Sequence, residues 1–104
     1  MDSKKTTSKS VSSDQQFKVV NDFLKTVSDQ NRLRILQVLG KKTLTVGEIY
    51  KKLGLPQNLT SHHISRLKKV ELLNEKREGT FRMYSVNAKK LKEYSKAFQE
   101  LLGF

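Results

Sequence analysis

The chain has 104 residues, carries 21 Lys and Arg against 10 Asp and Glu for a formal charge of +11, and contains no cysteine. One compact domain is the size limit, disulfides and thiolate metal sites are excluded, and the positive field calls for a polyanionic partner, nucleic acid above all. A monomer this small buries only roughly 60–65% of its unfolded surface, so amphipathic helices would gain from dimerising. The N-terminus lacks the apolar core of a signal peptide, and no apolar run approaches the ~18 residues that span a bilayer. No helix is basic on one face and strongly aromatic on the other, which disfavours a membrane surface as the partner. An intracellular, cytoplasmic protein without a membrane partner is expected.

Residues 1–15 are mostly Ser, Thr and Lys with a single Val and little to bury, so a disordered basic tail is expected there and a folded domain over 16–104. Lys4, Lys5 and Lys9 of that tail could touch phosphate, although a plain solvated tail is the simpler role. Helical periodicity starts at Gln16, with Phe17, Val20, Phe23, Leu24 and Val27 on one stripe. A second helix restarts at Asp29-Gln30-Asn31-Arg32, capped by Ser28 or Asp29. Leu33, Ile35, Leu36, Val38 and Leu39 make it apolar around much of its girth, which predicts a buried central helix. Gly40 is its expected left-handed cap, followed by Lys41-Lys42.

Thr43-Leu44-Thr45 reads as extended. Thr45-Val46-Gly47-Glu48 is a capping box that opens a short helix through Ile49, Tyr50 and Leu53 to Gly54. Leu55-Pro56 is the turn into the next helix, with Pro56 as its expected first residue. Wound as a helix, residues 56–70 separate two faces. Leu59, Thr60, His63, Ile64, Leu67 and Val70 cluster on one. Asn58, Ser61, His62 and Ser65 stand on the other, with no long charged side chain among them. Arg66, Lys68 and Lys69 follow behind. Short hydrogen-bonding groups at the leading end and cations at the rear suit a helix that enters the DNA major groove by its N-terminus. An ordinary amphipathic helix with a polar solvent face is the alternative for this segment alone. With the short helix and tight turn before it, the unit is a helix-turn-helix.

Two short runs flank Glu78-Gly79, and the second alternates Phe81, Met83 and Ser85 against Arg82, Tyr84 and Val86. That is a β-hairpin, with Lys76, Arg77 and Arg82 near its tip. Such a hairpin behind a helix-turn-helix is a wing, and its cations would rest on the phosphate backbone or minor groove. Basic residues also protect solvated edge strands, which is the competing explanation. Asn87 caps a last helix with the stripe Leu91, Tyr94, Phe98, Leu101 and Leu102. The first and last helices are both amphipathic. Packing across a two-fold would bury them, and a monomeric layered core is the alternative.

The fold class expected is therefore mainly α with a small β-hairpin, a winged helix-turn-helix. Its order resembles that of the ArsR/SmtB family of winged-helix repressors. Leu24-Lys25-Thr26-Val27-Ser28-Asp29-Gln30-Asn31-Arg32-Leu33-Arg34-Ile35-Leu36 is similar to the family's L-K-A-L-S-D-P-T-R-L-R-I-L entry. Leu53-Gly54-Leu55-Pro56-Gln57-Asn58-Leu59-Thr60-Ser61-His62-His63-Ile64 is similar to its L-G-L-S-Q-S-T-V-S-H-H-L recognition segment, and Arg77-Glu78-Gly79-Thr80-Phe81-Arg82-Met83-Tyr84 follows its R-x-G-R-x-x-Y-Y wing. The resemblance covers residues 16–103. It implies a homodimer joined by the first and last helices and bound to an imperfect palindrome.

On this reading Gln57, Asn58, Ser61, His62 and Ser65 meet base edges or nearby phosphates. Arg66, Lys68, Lys69, Lys76, Arg77 and Arg82 supply phosphate and wing contacts. Phe17, Val20, Leu24, Leu91, Tyr94, Phe98 and Leu101 form the dimer interface. The family's metal sensors carry a Cys-x-Cys pair where this chain has Leu44-Thr45-Val46-Gly47-Glu48. A second sensor type uses Asp and His pairs on the last helix, which here has Glu93, Gln99 and Glu100 but no histidine. Neither site carries over, so no metal ion and no cofactor are expected. Thr60 stands where an apolar residue is usual and is placed to bond its own backbone.

Catalysis has little support. His62 and His63 are adjacent, diverge by about 100°, and cannot chelate one metal in the i, i+4 manner. Ser61 beside His62 has no orienting carboxylate. The competing function is a protein-interaction module that borrows the scaffold to bind another regulator. It would show little DNA affinity at low salt. Double-stranded RNA is disfavoured because short groups such as Asn58 and Ser61 cannot reach into its deep, narrow groove.

Overall fold

The computed structural model of the chain describes residues 13–104. Its elements run α1 (Ser13–Val27), α2 (Gln30–Leu39), β1 (Leu44–Thr45), α3 (Val46–Leu53), α4 (Gln57–Lys69), β2 (Leu73–Glu78), β3 (Phe81–Val86) and α5 (Ala88–Leu101). Lys4, Lys5 and Lys9 of the expected tail lie outside the described residues. Ser13, Asp14 and Gln15, also assigned to that tail, instead form the first turn of α1, where Asp14 complements the positive end of the helix dipole.

Local chemistry sets most boundaries. Asp29 caps α2, its carboxylate accepting from the backbone N–H of Asn31 at 2.9 Å and Arg32 at 3.1 Å. Gly40 ends α2 with φ +51° but ψ −117°, so its φ is positive as a glycine allows while its conformation is not the left-handed helical one expected. The Thr45–Glu48 capping box is complete: Glu48 N–H donates to Thr45 Oγ1 at 3.1 Å and Thr45 N–H to Glu48 Oε1 at 2.9 Å. Asn87 caps α5 by accepting from Lys90 N–H at 3.1 Å.

The three strands make one antiparallel sheet in the order β1-β3-β2. Leu44 pairs with Tyr84, and the hairpin register matches Leu73 with Val86, Glu75 with Tyr84 and Arg77 with Arg82. The isolated extended segment before the helix-turn-helix is thus the third strand of the wing sheet, and it ties the wing base to α3. Beneath it lies the core, built on Ile35, Leu39, Ile49, Leu67 and Leu72, all with no exposed surface.

Two sequence expectations change at this level. The first is α2, which is not buried all round. Ile35 and Leu39 face the core, Leu36 and Val38 are partly buried against it, and Leu33 is 56% exposed. The neighbours α1, α3, α4 and β3 cover only part of its girth. The second concerns the terminal helices. α1 and α5 pack on each other within the chain. The rings of Phe23 and Tyr94 stack at 4.5 Å with 9° between planes, and Tyr94 Oη donates to the Val70 carbonyl at 2.9 Å. Val20 and Tyr94, assigned from sequence to a dimer interface, are buried at 1% and 9% exposure by the chain's own fold. Val20 has almost no surface left to give a partner. Phe17, Leu24 and Leu91 stay exposed, while Phe98 and Leu101 are half-buried.

Candidate nucleic-acid interface

α3 stops because Gly54 adopts the left-handed conformation, φ +68° and ψ +30°, which a side chain resists. Its N–H and that of Leu55 both turn back to the Tyr50 carbonyl. Pro56 then caps α4 from outside, with φ −62° and ψ +148°, instead of forming its first turn. In that position its carbonyl still accepts, from both Thr60 N–H and Thr60 Oγ1 at 3.0 Å. Thr60 therefore sits fully buried with its hydroxyl satisfied. No side chain caps α4 and no acid stands in its first turn. The leading N–H groups of the helix consequently keep their affinity for negative charge.

The back of α4 is fixed by Thr60, His63, Ile64 and Leu67, all buried. Leu59, assigned to the same apolar face, remains 37% exposed at its edge. Its front is open: Gln57, Asn58, Ser61, His62, Ser65, Arg66, Lys68 and Lys69 are all exposed. The structure divides that front in two. Gln57, Ser61, Ser65 and Lys68, spaced four, four and three residues apart, line a cleft of about 590 Å³ between α4 and the wing. Its other walls are Thr45, Val46, Gly47 and Tyr50 from the strand-to-α3 corner and Thr80, Phe81 and Arg82 from the wing. Arg66 and Lys69 flank a second depression, beside Lys25 and Thr26 of α1. Asn58 and His62 are exposed and line neither.

Lys76, Arg77 and Arg82 are exposed on the wing. Arg77 lies directly across the ladder from Arg82, a repulsive pair that neighbouring anions offset. Lys76 Nζ is 3.3 Å from Glu78 Oε2. Glu75 engages two cations at once: Lys68 Nζ of α4 on Oε1, and Arg82 Nε at 3.7 Å from Oε2. The Lys68 hydrogen bond, aided by the charges of Lys68, Arg82 and Arg77, holds the Glu75 carboxyl below the usual carboxylate range despite partial desolvation.

Sequence reasoning missed Glu75, Phe81 and the Thr45–Gly47 corner. Phe81, 63% exposed beside the cleft, had a signal, an aromatic side chain just past the glycine of a polar hairpin tip. Glu75 had none, because its partner Lys68 comes from another element.

A polar network supports the helix from behind. His63 Nδ1 is 3.4 Å from Arg32 Nη1 and 3.9 Å from the cap carboxylate of Asp29. Arg32 Nε also donates to the Thr26 carbonyl at 2.7 Å. α4 is thereby tied to the α1–α2 junction. Burial pushes the His63 imidazole down from its ordinary range, and the Arg32 and His62 charges add to this, while Asp29 opposes it. Asp29 itself is raised by burial but lowered overall by the Arg32 N–H bond, the Arg32 and His63 charges and the Asn31 N–H.

The pH consequence follows from the direction of the His63 shift. An imidazole with a folded pKa below its unfolded value of about 6.5 leaves the unfolded state holding more protons, so stability is lost as pH falls through that region. Melting temperature should decline between pH 7 and pH 5, and His63→Gln should flatten that slope. An unchanged slope in the variant would remove His63 as the cause. Losses from Asp29 and Glu75 belong to lower pH, setting in as pH falls through the ordinary carboxylate range and continuing below it.

Among the described residues no group of three or more His, Asp or Glu side chains is placed to hold a metal ion, and no helix is long and apolar enough to cross a membrane.

Residues 27–76 match a family model described as a helix-turn-helix domain. The chain is 32% identical over 74 residues to the transcriptional repressor SdpR of Bacillus subtilis, a match covering 71% of this chain and 82% of that one. It is 31% identical over 71 residues to the arsenical resistance operon repressor of Staphylococcus xylosus, covering 68% of each. The fold matches an ArsR-like transcriptional regulator from Rhodococcus sp. RHA1 with a TM-score of 0.75, over 84% of this chain and 81% of that one at 18% identity. A helix-turn-helix with a basic wing, an exposed polar front on α4 and relatives of this kind leads to one assignment: the chain belongs to the ArsR family of winged helix-turn-helix proteins and is a DNA-binding transcriptional regulator, not an enzyme.

Proposed function

We propose that this protein is a cytoplasmic repressor that binds an imperfect DNA palindrome as a homodimer. The front of α4 enters the major groove, where Gln57, Asn58, Ser61, His62 and Ser65 meet base edges. Arg66, Lys68, Lys69, Lys76, Arg77 and Arg82 hold the flanking phosphates. The carrying observation is the division of α4 into a buried back and an exposed front of short hydrogen-bonding groups. Short side chains can approach base edges closely, whereas the longer cations behind them reach the backbone. Selecting bound sequences from a random duplex pool tests the reading. An enriched motif with two-fold symmetry is expected. Absence of any enriched sequence would favour the protein-interaction alternative.

The dimer rests on Phe17, Leu24 and Leu91, which remain exposed on the paired terminal helices, with Phe98 and Leu101 partly available. Tyr94 connects this surface to α4, since its hydroxyl holds the carbonyl of Val70 at the end of that helix. Subunit pairing therefore sets the separation of the two reading helices, and with it the half-site spacing. Sedimentation at micromolar concentration should give twice the monomer mass, and Leu24→Glu combined with Leu91→Glu should give the monomer. A wild-type monomer at that concentration would remove both the dimer and the palindrome.

A further inference from the structure

We propose that Glu75 is an internal competitor for DNA phosphate, restraining the affinity of the chain for duplexes of any sequence. The inference rests on the DNA-binding reading above and concerns a residue to which that reading assigns no part. Glu75 stands on β2, the wing strand that meets α4, with one carboxylate oxygen on Lys68 and the other 3.7 Å from Arg82 Nε. Both cations also line the cleft between α4 and the wing. They are the charges that a phosphate at this cleft would need.

The consequence is electrostatic. Lys68, Arg82 and Glu75 together carry one net positive charge. To give Lys68 and Arg82 to phosphate, the protein must release a carboxylate that then faces the DNA and draws back a counterion. Each such exchange frees fewer counterions than two unpaired cations would. A partly exposed ion pair is weak enough for DNA to break it, yet strong enough to subtract from binding.

The test compares wild type, Glu75→Gln, Lys68→Gln/Arg82→Gln and the triple variant on random-sequence duplex across a salt series. A circular-dichroism melt of each variant confirms that it is folded. Glu75→Gln should bind roughly fivefold tighter near physiological salt, with the fall of log affinity against log salt steeper by about one per protomer. In the Lys68→Gln/Arg82→Gln background the same change should bring no gain. A gain that survives there would come from overall charge and would overturn the proposal. Weaker binding by Glu75→Gln would also overturn it, making Glu75 a strut that sets the wing angle; unchanged binding would do so too. Wild type that fails to bind duplex at low salt defeats the DNA reading itself, and the inference with it; a wild type that binds without the Glu75 effect defeats the inference alone.

Discussion

Leu67→Ala should lower stability by about 3 kcal/mol, whereas Leu33→Ala should cost less than about 1 kcal/mol. Leu67 has no exposed surface and lies on the back of α4, against a core that includes Ile35, Ile49 and Leu72. Truncation there removes apolar contact and leaves a void that rigid neighbours close only in part. Leu33 carries the same side chain on α2 but is 56% exposed, so little is lost with it. For a domain of this length each kcal/mol moves the melting point by roughly 4–8 °C, so the first variant should melt roughly 12–24 °C below wild type. Thermal denaturation of the two variants at equal concentration decides the matter. Equal losses would mean that α2 is buried all round, as its sequence suggests.

That contrast also marks where sequence reading succeeds. Asp29, the Thr45–Glu48 box, Gly54 and Asn87 are local signals, each satisfied within a few residues, and the structure uses all four. Thr60, out of place on an apolar face, bonds the carbonyl four residues back, as a threonine in a helix can. Burial is harder to read. Leu33 and Ile35 are equally apolar, and only the arrangement of neighbouring helices decides which of them is covered. The terminal helices show the same ambiguity, since one apolar stripe serves both a partner within the chain and a proposed partner outside it. Val20 and Tyr94 went to the first.

At the candidate site the exposed front of α4 and the basic wing were visible from residue spacing. The Glu75 pairings and the His63–Arg32–Asp29 network were not. Each joins residues on elements whose relative placement depends on the whole core. The cleft divides the front of α4 for a similar reason: the sheet register sets where Arg82 and Phe81 stand, which brings Gln57, Ser61, Ser65 and Lys68 beside the wing while Asn58 and His62 face elsewhere.

Asn58→Ala and Ser61→Ala should each weaken binding to the preferred duplex by about 1–3 kcal/mol, while changing random-duplex binding much less. Both side chains are exposed in the first turns of α4 and neither carries charge, so their contribution to general phosphate attraction is small. Lost affinity must come from base edges or from phosphates held in one register. Arg77→Ala should behave differently. Its loss should weaken both duplexes alike and reduce the salt slope by about one for each phosphate contact removed. The most direct measurement is therefore the affinity of wild type and these three variants for the selected and random duplexes across a salt series. A selective loss is expected for Asn58→Ala and Ser61→Ala, and a uniform, salt-dependent loss for Arg77→Ala. Equal losses on both duplexes for Asn58→Ala and Ser61→Ala would contradict this, because α4 would then not be the element that reads the sequence.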